Sequence, residues 1–71
     1  MKYYSIDKIY GSLLADGNII QGKNSKEALE KFLNKKVIRT ENNPTYSVVE
    51  CDEKGRLHYD RRKWVYYKIN K

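Results

Sequence analysis

One cysteine, Cys51, and one histidine, His58, in a chain of 71 residues mean that the fold must hold without a disulfide or a Cys/His zinc site built from a single chain. Chains of this size have room for one thin core and usually add a staple, an oligomeric partner or unusually good packing. With the staples gone, good packing or a homodimer remains, and residues 1–71 are expected to form one small domain. A lone thiol fits a reducing compartment. The opening Met1-Lys2-Tyr3-Tyr4-Ser5-Ile6-Asp7-Lys8 has no apolar run of signal-peptide length, and no later stretch is long enough to span a bilayer. The expectation is a cytoplasmic protein without membrane attachment.

Fifteen Lys and Arg against nine Asp and Glu give a formal net charge of +6. Positive charge of this size attracts nucleic acid. The chain is also rich in Lys, Asn, Ile and Tyr, whose codons favour A and T, so part of the excess reflects composition. Its distribution is more telling. Residues 1–43 carry eight Lys/Arg and five acids, whereas residues 56–71 carry six Lys/Arg and only Asp60.

Tyr3 to Tyr10 is dense in aromatic and β-branched residues and reads as a strand with a bulge near Asp7 or Gly11. Asp16-Gly17 between Leu13-Leu14-Ala15 and Asn18-Ile19-Ile20 predicts a two-residue hairpin turn, because a type I′ turn needs positive φ at both positions. Gly22-Lys23-Asn24-Ser25 ends that segment. Asn24 or Ser25 then caps a short helix to about residue 34, with Glu27 three places after Asn24 as in a capping box. Ala28, Leu29, Phe32 and Leu33 form its apolar stripe, and Lys26/Glu30 and Glu27/Lys31 are spaced for ion pairs on the solvent side.

Val37-Ile38-Arg39-Thr40 adds a short strand, and Asn42-Asn43-Pro44 a loop. Tyr46-Ser47-Val48-Val49-Glu50-Cys51 reads as a strand, Asp52-Glu53-Lys54-Gly55 as a type I turn, Leu57-His58-Tyr59 as a return, and Trp64 to Ile69 as the last strand. The fold class that follows is α+β: a small antiparallel sheet built as a hairpin, one short helix and a meander, roughly ββαβββ, with the helix packed on one face.

Arg61-Arg62-Lys63-Trp64-Val65-Tyr66-Tyr67-Lys68 is the segment where basic and aromatic residues interleave. Period-two geometry puts Arg62, Trp64, Tyr66 and Lys68 on one face and Arg61, Lys63, Val65, Tyr67 and Ile69 on the other. Cations reach phosphates while rings stack on unpaired bases, so Arg61, Arg62, Lys63, Trp64, Tyr66 and Lys68 are the candidate binding residues. A second reading places Trp64 and Tyr66 in the core as cross-strand partners, with the cations at its wet rim. The remaining tyrosines extend a stacking platform in the first reading and are half-wet sheet residues in the second. Tyr, Trp and Arg also favour protein-binding surfaces.

Other constellations are weaker. His58-Tyr59-Asp60 lacks the third ligand of a metal site and the pocket that acid/base chemistry needs. Glu50, Asp52 and Glu53 lack EF-hand spacing and sit beside Lys54 and Arg56, so a solvated turn explains them. The acidic neighbours of Cys51 raise a thiol pKa rather than activate it, which favours a half-buried structural thiol. No glycine pattern cradles a phosphate. No catalytic residue, metal or cofactor is expected. The first expectation is a noncatalytic nucleic-acid-binding module. The alternative is a small protein-binding inhibitor or adaptor of a nucleic-acid-handling or defence complex, since a short, basic, Tyr- and Lys-rich chain is similar in composition to accessory proteins of phages and mobile elements.

Overall fold

The computed structural model describes residues 2–10, 13–57 and 63–70, the side chains of residues 10 and 13–17 excepted. Its elements are β1 (Lys2–Tyr10), β2 (Leu13–Gly22), α1 (Ser25–Leu33), β3 (Val37–Arg39), β4 (Tyr46–Cys51) and β5 (Val65–Ile69). All strand pairings are antiparallel, and the α+β class with its ββαβββ element order is as the sequence implies. The order across the sheet is β2-β1-β4-β5-β3. The last three strands are therefore not a simple meander in space: β3 pairs with β5 at one edge, and β4 is central, between β1 and β5.

The helix accounts for this order. Nine residues at 1.5 Å rise cover about 13.5 Å, close to the width of three strand spacings of about 4.8 Å. Entering from β2 at one edge and crossing the sheet, the chain leaves α1 near the other edge and lays β3 down there. Asn24 is the N-cap, its side chain accepting from the Glu27 amide at 2.8 Å. Asn34 ends the helix in the left-handed conformation at φ 56°, which asparagine tolerates better than branched residues. The Tyr67 and Ser25 hydroxyls share a hydrogen bond that holds the start of α1 to β5, and Glu30 Oε2 accepts from the Val37 amide at 3.0 Å. Glu30 thus ties α1 to β3, where the sequence had it facing Lys26 and solvent.

The hairpin does not turn at Asp16-Gly17. Tyr10 pairs with Leu13, so β1 and β2 are joined through residues 11 and 12, outside the described residues. Ile6 pairs with Asn18 and Lys8 with Ala15, leaving Asp16 and Gly17 opposite Asp7 as a bulge within β2. The bulge expected near Asp7 is present, and it consumes the dipeptide read as the turn. A turn at Asp16-Gly17 leaves arms of only a few residues, whereas a turn at 11–12 lets all of β1 pair.

The core lies between α1 and the sheet: Tyr4, Ile6, Ala28, Leu29, Val37, Val48 and Tyr67 are buried, with Ile20, Leu33, Tyr46 and Val65 packed against them. Of the expected helix stripe, Phe32 is the exception and is 40% exposed. The opposite face is partly covered as well. Ser47, Val49 and Cys51 alternate with Val48 along β4, point away from α1, and are still buried. Residues 52–57 fold back over them: Cys51 bridges to Leu57, and Gly55 lies so close to Ile19 that a Cβ there would come within 2.7 Å of Ile19 Cδ1.

Candidate nucleic-acid interface

Among the described residues the fold-back lies over β4 and β2, and the basic and aromatic segment falls on β5 and just before it. In β5, Val65 and Tyr67 turn to the core under α1. Their strand neighbours Tyr66 and Lys68 consequently belong to the opposite face, and Trp64 immediately precedes the strand. Trp64 is 39% exposed, Tyr66 and Lys68 are half-buried, and Lys63 is exposed. Trp64 is not a core residue, as the second reading of the segment required, and Tyr66 retains exposed surface. Lys68 is directly opposite Ile38 of β3, which is itself 37% exposed, so the strip is broadened by an apolar side chain.

Backbone pairing fixes these positions. Tyr66 pairs with Ser47 on one side, and on the other its carbonyl accepts from the Thr40 amide at 2.9 Å. Side chains two apart on a strand are about 6.6 Å apart along it, twice the 3.4 Å spacing of stacked bases. That spacing suits unstacked bases of a single strand better than a stacked duplex. No carboxylate belongs to β3 or β5.

Of the six candidate residues, Lys63 and Trp64 immediately precede β5, and Tyr66 and Lys68 lie within it. Arg61 and Arg62 lie outside the described residues, as does His58-Tyr59-Asp60. Ile38 was missed in the sequence. Its signal was present in Val37-Ile38, two β-branched residues of which a two-sided strand can bury only one under the helix.

The acidic turn behaves as a turn. The Gly55 amide donates to the Asp52 carbonyl at 2.9 Å, Gly55 takes φ 84°, and Asp52 Oδ1 accepts from the Lys54 and Arg56 amides at 2.9 and 2.8 Å. The Arg56 amide bond is the main reason that the Asp52 carboxyl is held below its usual range, and the Lys54 amide and Arg56 guanidinium act in the same direction. A depressed folded-state pKa contributes stability above the ordinary aspartate pKa and loses it as pH falls through the folded value. The fold-back is therefore expected to loosen only in acid below the usual aspartate range, read as faster hydrogen exchange at the Lys54 and Arg56 amides. An Asp52→Asn variant, whose amide oxygen accepts without titrating, should lose that pH dependence.

Cys51 is buried more deeply than expected, and burial, with Asp52 and Glu50 beside it, pushes its thiol pKa up. It is a core thiol on the face under the fold-back. Burial also raises the Tyr4 hydroxyl, with Glu50 and Tyr67 contributing. Among the described residues no three metal-ligating side chains converge, and no helix is long and apolar enough to cross a membrane. No family model matches this chain, and comparisons with curated proteins and with solved structures find no match.

Proposed function

We propose that this protein is a noncatalytic nucleic-acid-binding module that takes single-stranded segments along β5. The observation that carries the reading is the exposure of Trp64, with Lys63 beside it in sequence and Tyr66 and Lys68 following in β5, while Val65 and Tyr67 fill the core. An exposed indole beside cations offers a face on which an unpaired base can stack. Lysines supply phosphate contacts that salt weakens, and the rings supply contacts that salt leaves largely intact. Arg61 and Arg62 add two cations just before Lys63 in sequence.

Fluorescence anisotropy with labelled single-stranded DNA, duplex DNA and RNA tests this at low and near-physiological salt. Single strands should bind more tightly than duplex and retain micromolar affinity at the higher salt. Each cation removed in a Lys63→Ala/Lys68→Ala variant should lower the salt slope by roughly 0.7 for single strands. Binding that salt abolishes, with the variant unchanged, would make the charge compositional and defeat the proposal.

One observation favours the second reading, a small protein-binding inhibitor or adaptor. Ile19 and Ile38, exposed large apolar side chains that alternate with core-facing Ile20 and Val37, belong to the helix-free face, and Leu57 and Trp64 are exposed as well. Such a surface suits a protein partner when cations are dispensable. The same anisotropy series separates the two, because a protein-binding face leaves oligonucleotide binding weak and indifferent to Trp64.

A further inference from the structure

The two edges of the sheet are guarded differently. β2 and β3 are the outer strands, and an outer strand turns backbone donors and acceptors toward any extended chain that comes alongside. At the β3 edge the strand is three residues long, contains Arg39 and follows Lys35 and Lys36, all three exposed. The Val37 amide is already taken there by Glu30 Oε2 at 3.0 Å. Short length and cations are the usual means of keeping an edge from pairing. β2 has neither. It runs for ten residues, Leu13–Gly22, with no Lys or Arg, in a chain where 15 of 71 residues are basic. Its one protection is the bulge at Asp16-Gly17. Beyond that bulge the strand keeps continuous register with β1 as far as Gly22, with Ile19 and Gln21 exposed and Ile20 packed against the core.

Charge selects the occupant of this edge. Two molecules of formal charge +6 repel each other, and they approach at least cost where neither carries a cation. Leu13–Gly22 is such a segment, its one charged residue being Asp16. An acidic or nucleic-acid partner is drawn instead to the cationic surfaces. Antiparallel pairing of a strand with its own copy is self-complementary: a two-fold axis at Ile20 sets Ile19 of one copy opposite Gln21 of the other and continues the ladder across the junction. The thin core of a domain this small gains a neighbour in the same step.

We propose that β2 is a homodimer edge, at which two copies pair antiparallel about Ile20 to make one ten-stranded sheet with β3 at both outer ends. An axis normal to the sheet keeps both helices on one side. The ladder between the bulge and Gly22 is short, so the interface is of the small, weak class and the dimer forms in the micromolar to submillimolar range. β1 and β4 lie between this edge and β5, and the dimer stands whether or not strands bind along β5.

The test is sedimentation equilibrium of the whole chain from micromolar to millimolar concentration, at low and near-physiological salt. A monomer–dimer equilibrium is expected, and salt should tighten it by screening the repulsion between copies, the opposite of its effect on oligonucleotide binding. Ile19→Lys/Gln21→Lys changes two exposed side chains, brings like charges together across the two-fold axis and should weaken the dimer roughly tenfold or more. Ile38→Lys, at the β3 edge, should leave it unchanged. Hydrogen exchange on the unaltered protein gives a reading that does not depend on a variant folding: raising the concentration should slow exchange within residues 19–21 and leave residues 37–39 as they were. A monomer throughout the range, a dimer that salt dissolves or that ignores Ile19→Lys/Gln21→Lys, or protection that grows at β3 instead of β2 would overturn the proposal. Failure of the β5 reading appears separately, as weak oligonucleotide binding indifferent to Trp64→Ala while the dimer persists.

Discussion

Leu29→Ala is expected to remove most of the stability of this domain. A fully buried leucine truncated to alanine costs about 2–5 kcal/mol, the spread depending on how far the site collapses. A domain under about 80 residues rarely draws more than about 3–5 kcal/mol from its core. Leu29 is wholly buried and is the one large side chain that α1 buries completely: Ala28 adds little volume, Leu33 is partly buried and Phe32 is exposed. Its loss leaves the helix with the Ser25–Tyr67 and Glu30–Val37 hydrogen bonds and little apolar contact over Ile6 and Val48. Urea titration followed by far-ultraviolet circular dichroism should show a native baseline shortened or missing at 25 °C. Phe32→Ala, on the same helix, should shift the midpoint far less. Equal shifts for the two variants would mean that α1 is held by its end contacts rather than by its stripe.

Trp64→Ala is expected to be the largest single loss of single-strand affinity. Stacking of one base on an aromatic side chain is worth about 1–3 kcal/mol by alanine substitution, roughly a five- to 150-fold change in Kd. The fold should barely notice. Trp64 precedes β5, makes no ladder pairing and is exposed. Trp64→Phe keeps a π-face and should recover most of the affinity, which separates stacking from mere bulk. Because stacking is not screened, the loss should be similar at low and high salt, in contrast to Lys63→Ala/Lys68→Ala. A Trp64→Ala variant that binds like the parent, or that weakens duplex and single strand equally, would remove the base-stacking element of the proposed function.

These two variants mark how unevenly the molecule could be read from its residues. Asn24, Glu27 and the stripe of Ala28 and Leu29 state a helix in nine consecutive residues, because capping and 3.6-residue periodicity are local properties. Tyr46–Cys51 states a strand in the same way. The alternation of Trp64, Tyr66 and Lys68 against Val65 and Tyr67 was also legible, although nothing local says which of the two sets faces the helix. Burial decides that, and it favours Tyr67, whose hydroxyl reaches Ser25 forty-two residues earlier.

Asp16-Gly17 shows the opposite case. The dipeptide announces a change of backbone direction, and a bulge and a turn both provide one. The choice rests on how many ladder pairs the flanking strands can then make, which is a property of β1 and β2 together. Gly22 was legible only as a break. In the fold it ends β2 beneath α1, where a Cβ would meet the Ala28 Cβ at 3.0 Å and its backbone at 3.1 Å, so the glycine sets how closely the helix approaches the sheet.

By itself, then, the sequence determined the element types, the helix cap, the α+β class and the concentration of basic and aromatic residues near the last strand, all of which follow from neighbours within a few positions. Tertiary structure alone decided that β3 lies outside β5, that residues 52–57 fold back over part of the helix-free face, and that Ile38 stands opposite Lys68 on the open side of β5. Each of those facts depends on pairings between residues far apart in the chain, whose energies are comparable among alternative registers until one shared core has to be filled.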